Sequence, residues 1–327
     1  MSLTPNKPAS QQAGFFVANA DPGIITVDTH HVRPKLDASH LIIDSGRVAI
    51  VDTGTALGVP YILAALAELD IEPHAVDYIL LTHIHLDHAG GAGALLKHLP
   101  NAKVMVHPRG ARHLVDPSRL IAATIEVYGK EFFAATYGNV VPIAAERVIS
   151  SDDDHEFTLG NRTLSVWHSP GHAIHHQVFV DQFARVIIAG DAFGVSYREL
   201  DFAGKAFIIP ATTPSQLDPP AMMASIERIA QWHPQAVYVT HYSRLTEIKR
   251  LTADLIAGIQ RWSELTRQVK QQQGNLSTLK AVLSEDIQRQ LATHSNPSFA
   301  AQGLELLTMD IDLDAQGLWH WVNQAVK

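Results

Sequence analysis

Residues that could bind a metal ion are concentrated in one short stretch of the chain. Residues 83–88 hold three histidines and one aspartate, in the pattern His-x-His-x-Asp-His. Imidazole nitrogen and carboxylate oxygen are ligand atoms that suit zinc, iron and manganese. The chain contains 19 histidines, so isolated pairs arise by chance. Four potential ligands within six residues nevertheless predict a metal site.

The elements on either side of this stretch would hold its side chains together. Residues 78–81 form an apolar run that is typical of a buried strand, and residues 92–99, after two glycines, are typical of a helix. The cluster therefore falls on a strand-to-helix loop, at the carboxyl end of a strand. Open α/β folds usually bind their ligands at this position.

The pattern, preceded by an apolar strand and Thr82 and followed by Ala-Gly-Gly, resembles the metallo-β-lactamase superfamily of hydrolases. The resemblance covers about residues 38–245. It implies an α/β fold, namely a metallo-β-lactamase-like αββα sandwich of two facing mixed β-sheets with outer helices. A C-terminal, mainly helical appendage would follow this sandwich.

Three later motifs supply the other ligands that the resemblance implies. His172 lies in a Pro-Gly-His turn, Asp191 follows a glycine at the end of a strand, and His241 follows a strand and a threonine. Asp191 is expected to bridge two metals. The other expected ligands are His83, His85 and His172 on the first metal, and Asp87, His88 and His241 on the second.

The expected cofactor is a pair of divalent metal ions, with zinc first and iron or manganese as alternatives, because His/Asp sites accept all three. Two cations lower the pKa of a shared water, so that hydroxide forms near neutral pH. Asp87, a ligand beside that water, is the expected catalytic residue that passes a proton to the leaving group. His175 and His176 do not match the pattern and are expected to be loop or supporting residues.

Three further residues are candidates for supporting or substrate-binding roles. Asp52, which ends a strand, is expected either to orient the metal loop or only to form a turn. Tyr197 follows the bridging aspartate, but at a different offset from the substrate-binding tyrosine of lactonases in the superfamily. Arg244 lies near the last histidine, where thioesterases resembling glyoxalase II use basic residues, and a solvated helix face is the alternative.

The predicted function is a metal-dependent hydrolase that uses hydroxide on a dinuclear metal centre to cleave a small ester, lactone or thioester. The bridging aspartate and the absence of cysteine argue against β-lactamases whose second site uses cysteine. The alternatives are a phosphodiesterase of the same fold and an iron-dependent oxidoreductase that resembles persulfide dioxygenases. A non-catalytic metal-binding module comes last, because none of the seven ligands is missing.

Composition limits the expected partners and compartment. The 327 residues carry a net charge of −8, which disfavours nucleic acid, and the lack of cysteine excludes a disulfide scaffold. The sequence opens without a signal-peptide core and lacks an apolar run long enough for a membrane helix. We therefore expect a cytoplasmic protein with a small-molecule substrate and no nucleic-acid or membrane partner.

The chain is expected to divide into a catalytic domain over residues 1–245 and a mainly helical segment over residues 246–327. A helical insertion at about residues 107–145 is expected to cover the cleft, with residues 207–209 as an apolar wall. One face of the C-terminal segment must be covered, because four apolar residues recur at helical spacing: Leu251, Leu255, Ile259 and Trp262. Trp319 and Trp321 favour a homodimer contact over packing within one subunit.

Overall fold

The computed structural model describes residues 16–212 and 216–324, and within them the chain divides into two units. The first unit comprises residues up to 168, 175–190 and 235–244, and the second comprises residues 169–174, 191–234 and those from 245 onward. Residues 1–15, the start of the catalytic domain expected over residues 1–245, lie outside the described residues. The domain boundary expected after residue 245 stays a prediction.

A seven-stranded mixed sheet forms much of the first unit. Its strands lie side by side in chain order: β1 (Phe16–Ala18), β2 (Ile24–Asp28), β3 (Ala38–Asp44), β4 (Arg47–Val51), β5 (Val76–Leu80), β6 (Lys103–Val106) and β7 (Val148–Ser150). Strands β1 to β4 pair antiparallel, and β4 to β7 pair parallel. Ser45 and Gly46, between β3 and β4, both have positive φ, as the tightest hairpin turns require.

A second mixed sheet has six strands. Their spatial order is β13 (Ser243–Leu245), β12 (Ala236–Val239), β11 (Val186–Ile188), β10 (Gln177–Asp181), β9 (Arg162–His168) and β8 (Glu156–Leu159). Strands β8 to β11 pair antiparallel, whereas β11 and β12 pair parallel. The strand ends that precede Gly190 and Thr240 therefore lie at the same edge of this sheet.

Alternating side chains let the first sheet bury both of its faces. One face packs against the second sheet in a shared core that includes Ile42, Val51, Leu80, Val166, Phe179 and Ile188. The opposite face packs against helices α1 (Val59–Glu68) and α3 (Ala92–Leu96), through side chains such as Ile50, Ile62, Ile79 and Leu95. Each such side chain contributes about 1.5–3 kcal/mol when fully buried. The sheets of the first unit are therefore held by two continuous apolar layers.

Three short helices form the insertion between β6 and β7: α4 (Pro108–Val115), α5 (Ser118–Tyr128) and α6 (Lys130–Thr136). The last two coincide with helices expected from the sequence, and Gly129, at a φ of 85°, separates them. Helix α4 opens this helical insertion with a sequence rich in polar residues. It begins at a proline, and the preceding His107 side chain accepts a hydrogen bond from the backbone of Arg109.

Five helices dominate the second unit: α7 (Pro219–Gln231), α8 (Ile248–Gln271), α9 (Leu276–His294), α10 (Pro297–Leu306) and α11 (Thr308–Asn323). Asp218, Asn275 and Asn296 cap the first turns of α7, α9 and α10. The helices α10 and α11 agree with the mainly helical C-terminal segment that the sequence predicted. In the described residues, no helix combines the length and apolar character needed to cross a bilayer.

The apolar face of α8 is covered inside the second unit. Leu251, Leu255, Ile259 and Trp262 are fully buried, and α8 packs against α7, α9 and α11. Residues 207–209 are also buried, and their expected role as an apolar wall of the cleft stays a prediction. The homodimer stays a prediction. The two mixed sheets, the helices and the helical C-terminal region confirm the predicted fold class.

Candidate metal centre

The predicted metal-binding loop leads from β5 into α2 (Leu86–Ala89), a single helical turn. Two glycines follow this turn because there is no room for a side chain at either position. A Cβ on Gly90 would lie 2.3 Å from the carbonyl oxygen of Leu86, and one on Gly91 would lie 2.8 Å from that of Thr55. The glycines therefore allow the loop to lie directly against the segment that follows β4.

Asp87, His88 and His241 bring three potential ligand atoms together in the first unit, all within 4.8 Å of one another. Oδ2 of Asp87 lies 3.8 Å from Nε2 of His88 and 3.6 Å from Nε2 of His241. Both histidines are buried, whereas the Asp87 side chain is 28% exposed. Two imidazoles and one carboxylate match the ligand preferences of a divalent transition metal.

Hydrogen bonds fix which nitrogen of each imidazole can bind a cation. Nδ1 of His88 lies 2.8 Å from a carboxylate oxygen of Asp52, and Nδ1 of His241 lies 2.8 Å from the carbonyl oxygen of Leu36. A carbonyl or ionised carboxylate oxygen can only accept, so each Nδ1 carries the proton. The lone pair is then on Nε2, which is the atom directed at Asp87. Metal-ligating histidines commonly have this arrangement, in which one ring nitrogen binds the metal and the other donates to a carboxylate or carbonyl oxygen.

Asp52 joins the two parts of the chain that carry this group. Its carboxylate accepts hydrogen bonds from the backbone and hydroxyl of Thr82, each at 2.8 Å, from Nδ1 of His88, and from the hydroxyl of Thr240 at 3.0 Å. Thr82 precedes the metal-binding loop, and Thr240 precedes His241. The residue has a φ of 52°, a conformation that aspartate tolerates better than most residues. These bonds are consistent with the expected role of orienting the loop, which stays a prediction.

His83 and His85 form a second pair of imidazoles on the same loop. Nε2 of His83 lies 2.8 Å from Nδ1 of His85, and the His83 ring lies 4.0 Å from the His88 ring between centroids. His176 stacks on His83 at 4.8 Å, with an interplanar angle of 25°, and His175 packs edge-on against His85 at 5.7 Å. His175 and His176, which did not match the motif, therefore pack around the predicted ligands.

The two predicted ligands of the second unit also lie close to each other. Nε2 of His172 is 3.4 Å from a carboxylate oxygen of Asp191, and both side chains are buried. Nδ1 of His172 lies 2.9 Å from the carbonyl oxygen of Ala211, which fixes the same tautomer as in His88. A Cβ on Gly171 would lie 2.2 Å from the backbone of Met222, so the Pro-Gly-His turn requires glycine. That these two residues share metals with the first-unit ligands stays a prediction.

Three residues near Asp87 were missed by the sequence analysis: His31, Asp37 and Tyr137. Burial lowers the pKa of His31 to about 4, although the charge of Asp87 opposes this effect. Burial raises the pKa of Asp37 to about 7, against the effect of the His241 and His88 imidazoles. Burial and the charge of Asp87 raise the pKa of Tyr137. These residues belong to the β2–β3 loop and the insertion, and no motif in the sequence marks them.

The insertion contacts the metal-binding loop directly. Leu86, Phe133 and Tyr137 form a small buried apolar cluster, which α5 supports through residues such as Ile121 and Ile125. The backbone of Ala56 donates a hydrogen bond to the carbonyl oxygen of Tyr137. Helices α5 and α6 are therefore packed against the turn that carries Asp87.

Tyr197 and Arg244, the two predicted substrate-binding residues, bind to other parts of the protein. The Tyr197 hydroxyl donates a 2.9 Å hydrogen bond to Asp310, and its side chain is buried. Arg244 forms a two-bond ion pair with the carboxylate of Asp21, at 2.6 and 3.0 Å. Tyr238 also donates to Asp21. In the structure, both side chains bind carboxylates of the protein itself. Their roles in substrate binding stay predictions.

Two curated relatives are similar to parts of the chain. A metallo-beta-lactamase fold-containing protein of Sulfurisphaera tokodaii is 31% identical over 171 residues, which cover 51% of this chain and 60% of the relative. A hydroxyacylglutathione hydrolase of Salmonella paratyphi A is 43% identical over 93 residues, which cover 27% of this chain and 33% of that enzyme. The chain thus spans about three fifths of the first relative and a third of the second.

Solved structures share the fold over a larger part of the chain. A metallo-beta-lactamase family protein from Thermus thermophilus superposes with a TM-score of 0.64 at 20% identity, covering 93% of this chain and 94% of that one. An archaeal superfamily protein from Sulfolobus tokodaii gives a TM-score of 0.59 at 24% identity, covering 72% and 85%. The family model of the metallo-beta-lactamase superfamily matches residues 36–241. The chain belongs to the metallo-beta-lactamase superfamily.

Proposed function

We propose that this protein is a metal-dependent hydrolase that cleaves a small ester, lactone or thioester. The observation that carries the proposal is the group formed by Asp87, His88 and His241, in which Nδ1 of each histidine is bound to a fixed acceptor. Such preorganised, buried imidazoles suit a metal site better than a surface cluster would. The family supports the same reaction class.

Seven residues are proposed to hold two divalent cations, with zinc first and iron or manganese as alternatives. The proposed ligands are His83, His85, Asp87, His88, His172, Asp191 and His241. When bound, the two cations lower the pKa of a water molecule and polarise the carbonyl oxygen of the substrate. The proteins named as relatives, a metallo-beta-lactamase fold-containing protein and a hydrolase, support this assignment.

Asp87 is proposed to be the residue that moves a proton during the reaction. It is the most exposed member of its group, with its carboxylate within 4 Å of both Nε2 atoms. An exposed carboxylate can contact a substrate and solvent, which the buried Asp52 carboxylate cannot do. Asp87 can therefore receive a proton from the attacking water and deliver it to the leaving oxygen or sulfur.

The apolar surface of the insertion supports a small acyl substrate. Tyr137 lies near Asp87 and packs against Tyr128 of α5 and Phe132 of α6, with ring centroids 5.9 and 6.4 Å apart. Phe132 and Leu57 are exposed, and a Cβ on Gly138, just after Tyr137, would lie 3.1 Å from the Leu57 side chain. Exposed apolar side chains next to a polar centre are typical of sites that bind an acyl group.

The proposal is tested by metal analysis followed by a substrate panel. The full chain would be purified without added metal, assayed for zinc, iron and manganese, and then offered an aryl ester, a lactone, a glutathione thioester and a phosphodiester. We expect about two metals per chain and turnover of an acyl substrate that chelation abolishes and zinc restores. A metal-free protein, or one that cleaves only the phosphodiester, would overturn the proposal.

A further inference from the structure

We infer, on the basis of the proposed function, that Asp314 on α11 positions the metal ligand His172. The connection runs through a single peptide group, that of Ala211 and Thr212. The C-terminal helix would thereby take part in metal binding without supplying a ligand. All four residues belong to the second unit of the structure.

A hydrogen bond from the imidazole ring orients His172. Its Nδ1 lies 2.9 Å from the carbonyl oxygen of Ala211, and both residues are buried. A carbonyl oxygen only accepts, so this contact holds the proton on Nδ1 and leaves the lone pair of Nε2 for a cation. The orientation of the imidazole ring therefore depends on where the Ala211 carbonyl is held.

The N–H side of the same peptide group is also held by a hydrogen bond. Oδ1 of Asp314 accepts a 2.6 Å hydrogen bond from the backbone N–H of Thr212. The carbonyl of Ala211 and the N–H of Thr212 belong to one planar peptide unit, so fixing one fixes the direction of the other. A carboxyl oxygen hydrogen-bonded to the N–H also polarises the peptide and makes its carbonyl a better acceptor for His172.

The Thr212 side chain strengthens this attachment. Its hydroxyl donates a 2.9 Å hydrogen bond to the same Oδ1 and lies 3.3 Å from the backbone oxygen of Asp314. Residues 210–212 belong to neither a helix nor a strand, so neighbouring backbone does not hold this peptide in a regular ladder. The Asp314 side chain is buried, and this burial raises its pKa well above the ordinary value.

A second contact of α11 acts on the same segment of chain. Asp310, one helical turn before Asp314, accepts a 2.9 Å hydrogen bond from the hydroxyl of Tyr197. Residues four apart lie on one face of a helix. Two backbone hydrogen bonds, of 2.9 and 3.0 Å, pair Val195 with Ile209. They connect the stretch of chain that carries Tyr197 to the stretch that carries Ala211. Helix α11 thus binds the segment between Asp191 and the His172 acceptor at two points, Tyr197 and Thr212.

The test measures metal retention in folded variants of the full chain. Asp314→Ala removes the acceptor, Asp314→Asn keeps an oxygen that both Thr212 donors can reach, and Thr212→Val removes only the hydroxyl. Asp312→Ala is the matched control, because Asp312 lies on the same helix with its side chain 44% exposed. Each protein is loaded with zinc, and metal transfer to a chelator is followed over time, with circular dichroism and urea unfolding of the metal-free form as checks.

We expect Asp314→Ala to release one of its two metals about tenfold faster, the lower end of the range for residues that support metal ligands. Asp314→Asn and Asp312→Ala should behave like the wild type, and Thr212→Val should be intermediate. Because a purely structural role would lower unfolding stability without favouring one metal, biphasic release is the diagnostic result. Uniform release, or wild-type release from folded Asp314→Ala, would overturn the inference.

Two outcomes separate this inference from the proposed function. If the wild-type chain binds no metal, the proposed function itself fails. If the wild type binds two metals and Asp314→Ala does not fold, Thr212→Val decides, because valine has nearly the same shape as threonine and the backbone N–H remains bound to Asp314. Wild-type metal release from Thr212→Val would then contradict the positioning role.

Discussion

Nδ1 of His88 lies 2.8 Å from Oδ2 of Asp52, with both side chains almost completely shielded from solvent. The same carboxylate binds Thr82 and Thr240, so one buried aspartate connects the ends of two strands from different sheets. Removing such a group leaves several buried donors without an acceptor. The relationship makes Asp52 a sensitive position for both folding and metal binding.

Asp52→Asn should weaken metal binding about 10- to 100-fold and lower the free energy of unfolding by about 1–3 kcal/mol. Both oxygens of Asp52 face donors, so the amide group of asparagine must face one of those donors on either side. The measurements are zinc titration and urea unfolding of the metal-free form. Asp77→Asn, a partly exposed aspartate at the start of β5, is the control. Unchanged metal affinity would contradict the orienting role.

Asp87→Asn should reduce turnover far more than it reduces stability. Asparagine keeps the size of the residue but cannot carry the proton that hydrolysis releases. Its partial exposure, at 28%, means that folding does not depend on a buried contact. Steady-state kinetics on the substrate found in the panel, alongside thermal unfolding, would measure both effects. A variant with wild-type turnover would exclude Asp87 from the mechanism.

Phe132→Ala should raise KM for acyl substrates with little effect on stability, because this side chain of α6 is 41% exposed. Loss of one apolar contact with a substrate typically costs about 1–3 kcal/mol, which corresponds to about fivefold or more in KM. Phe183→Ala provides the comparison, since Phe183 is 65% exposed in the turn between β10 and β11. Equal KM values for both variants would show that the insertion does not contact the substrate.

Acid should destabilise the fold through His40. Burial lowers the pKa of this histidine from 6.5 to about 4, so between these values the unfolded chain binds the proton and the folded chain does not. Stability is therefore lost as pH falls from 6.5 toward 4, by up to about 3 kcal/mol at this site. Urea unfolding of the metal-free protein across this range would show a smaller acid loss for His40→Gln than for the wild type. The control variant His320→Gln, at an exposed histidine, should lose as much stability in acid as the wild type. If the unfolding free energy of His40→Gln depends on pH in the same way as that of the wild type, the acid effect does not come from His40.

Light scattering of the full chain should report a dimer, at twice the 35.8 kDa of one subunit. The expectation rests on Trp319 and Trp321, which are only partly buried near the end of α11. The apolar face of α8 provides no support, because it is already covered by helices of the same subunit. A particle of 35.8 kDa at every concentration would make the C-terminal segment a brace within one subunit.

Local sequence signals predicted many of the elements that carry the candidate ligands. The apolar run before Thr82 corresponds to β5, and the ligand motif that follows it lies on the loop from β5 into α2. The signals failed where packing decides the conformation. Strand β1 has only three residues. In α11, Asp310 and Asp314 interrupt the apolar pattern of the helix, and their side chains accept hydrogen bonds from Tyr197 and Thr212 of the same unit.

The sequence by itself determined the types of the candidate ligands and the strand ends on which they lie, because ligand motifs and strand periodicity are local patterns. Only the tertiary structure decided how the imidazoles are held. His241 is bound to the carbonyl of Leu36 across 205 positions, and Thr212 to Asp314 across 102. Every residue type has a backbone carbonyl. The sequence therefore cannot indicate that the carbonyl of Leu36 is the acceptor. Folding alone brings these partners within hydrogen-bonding distance.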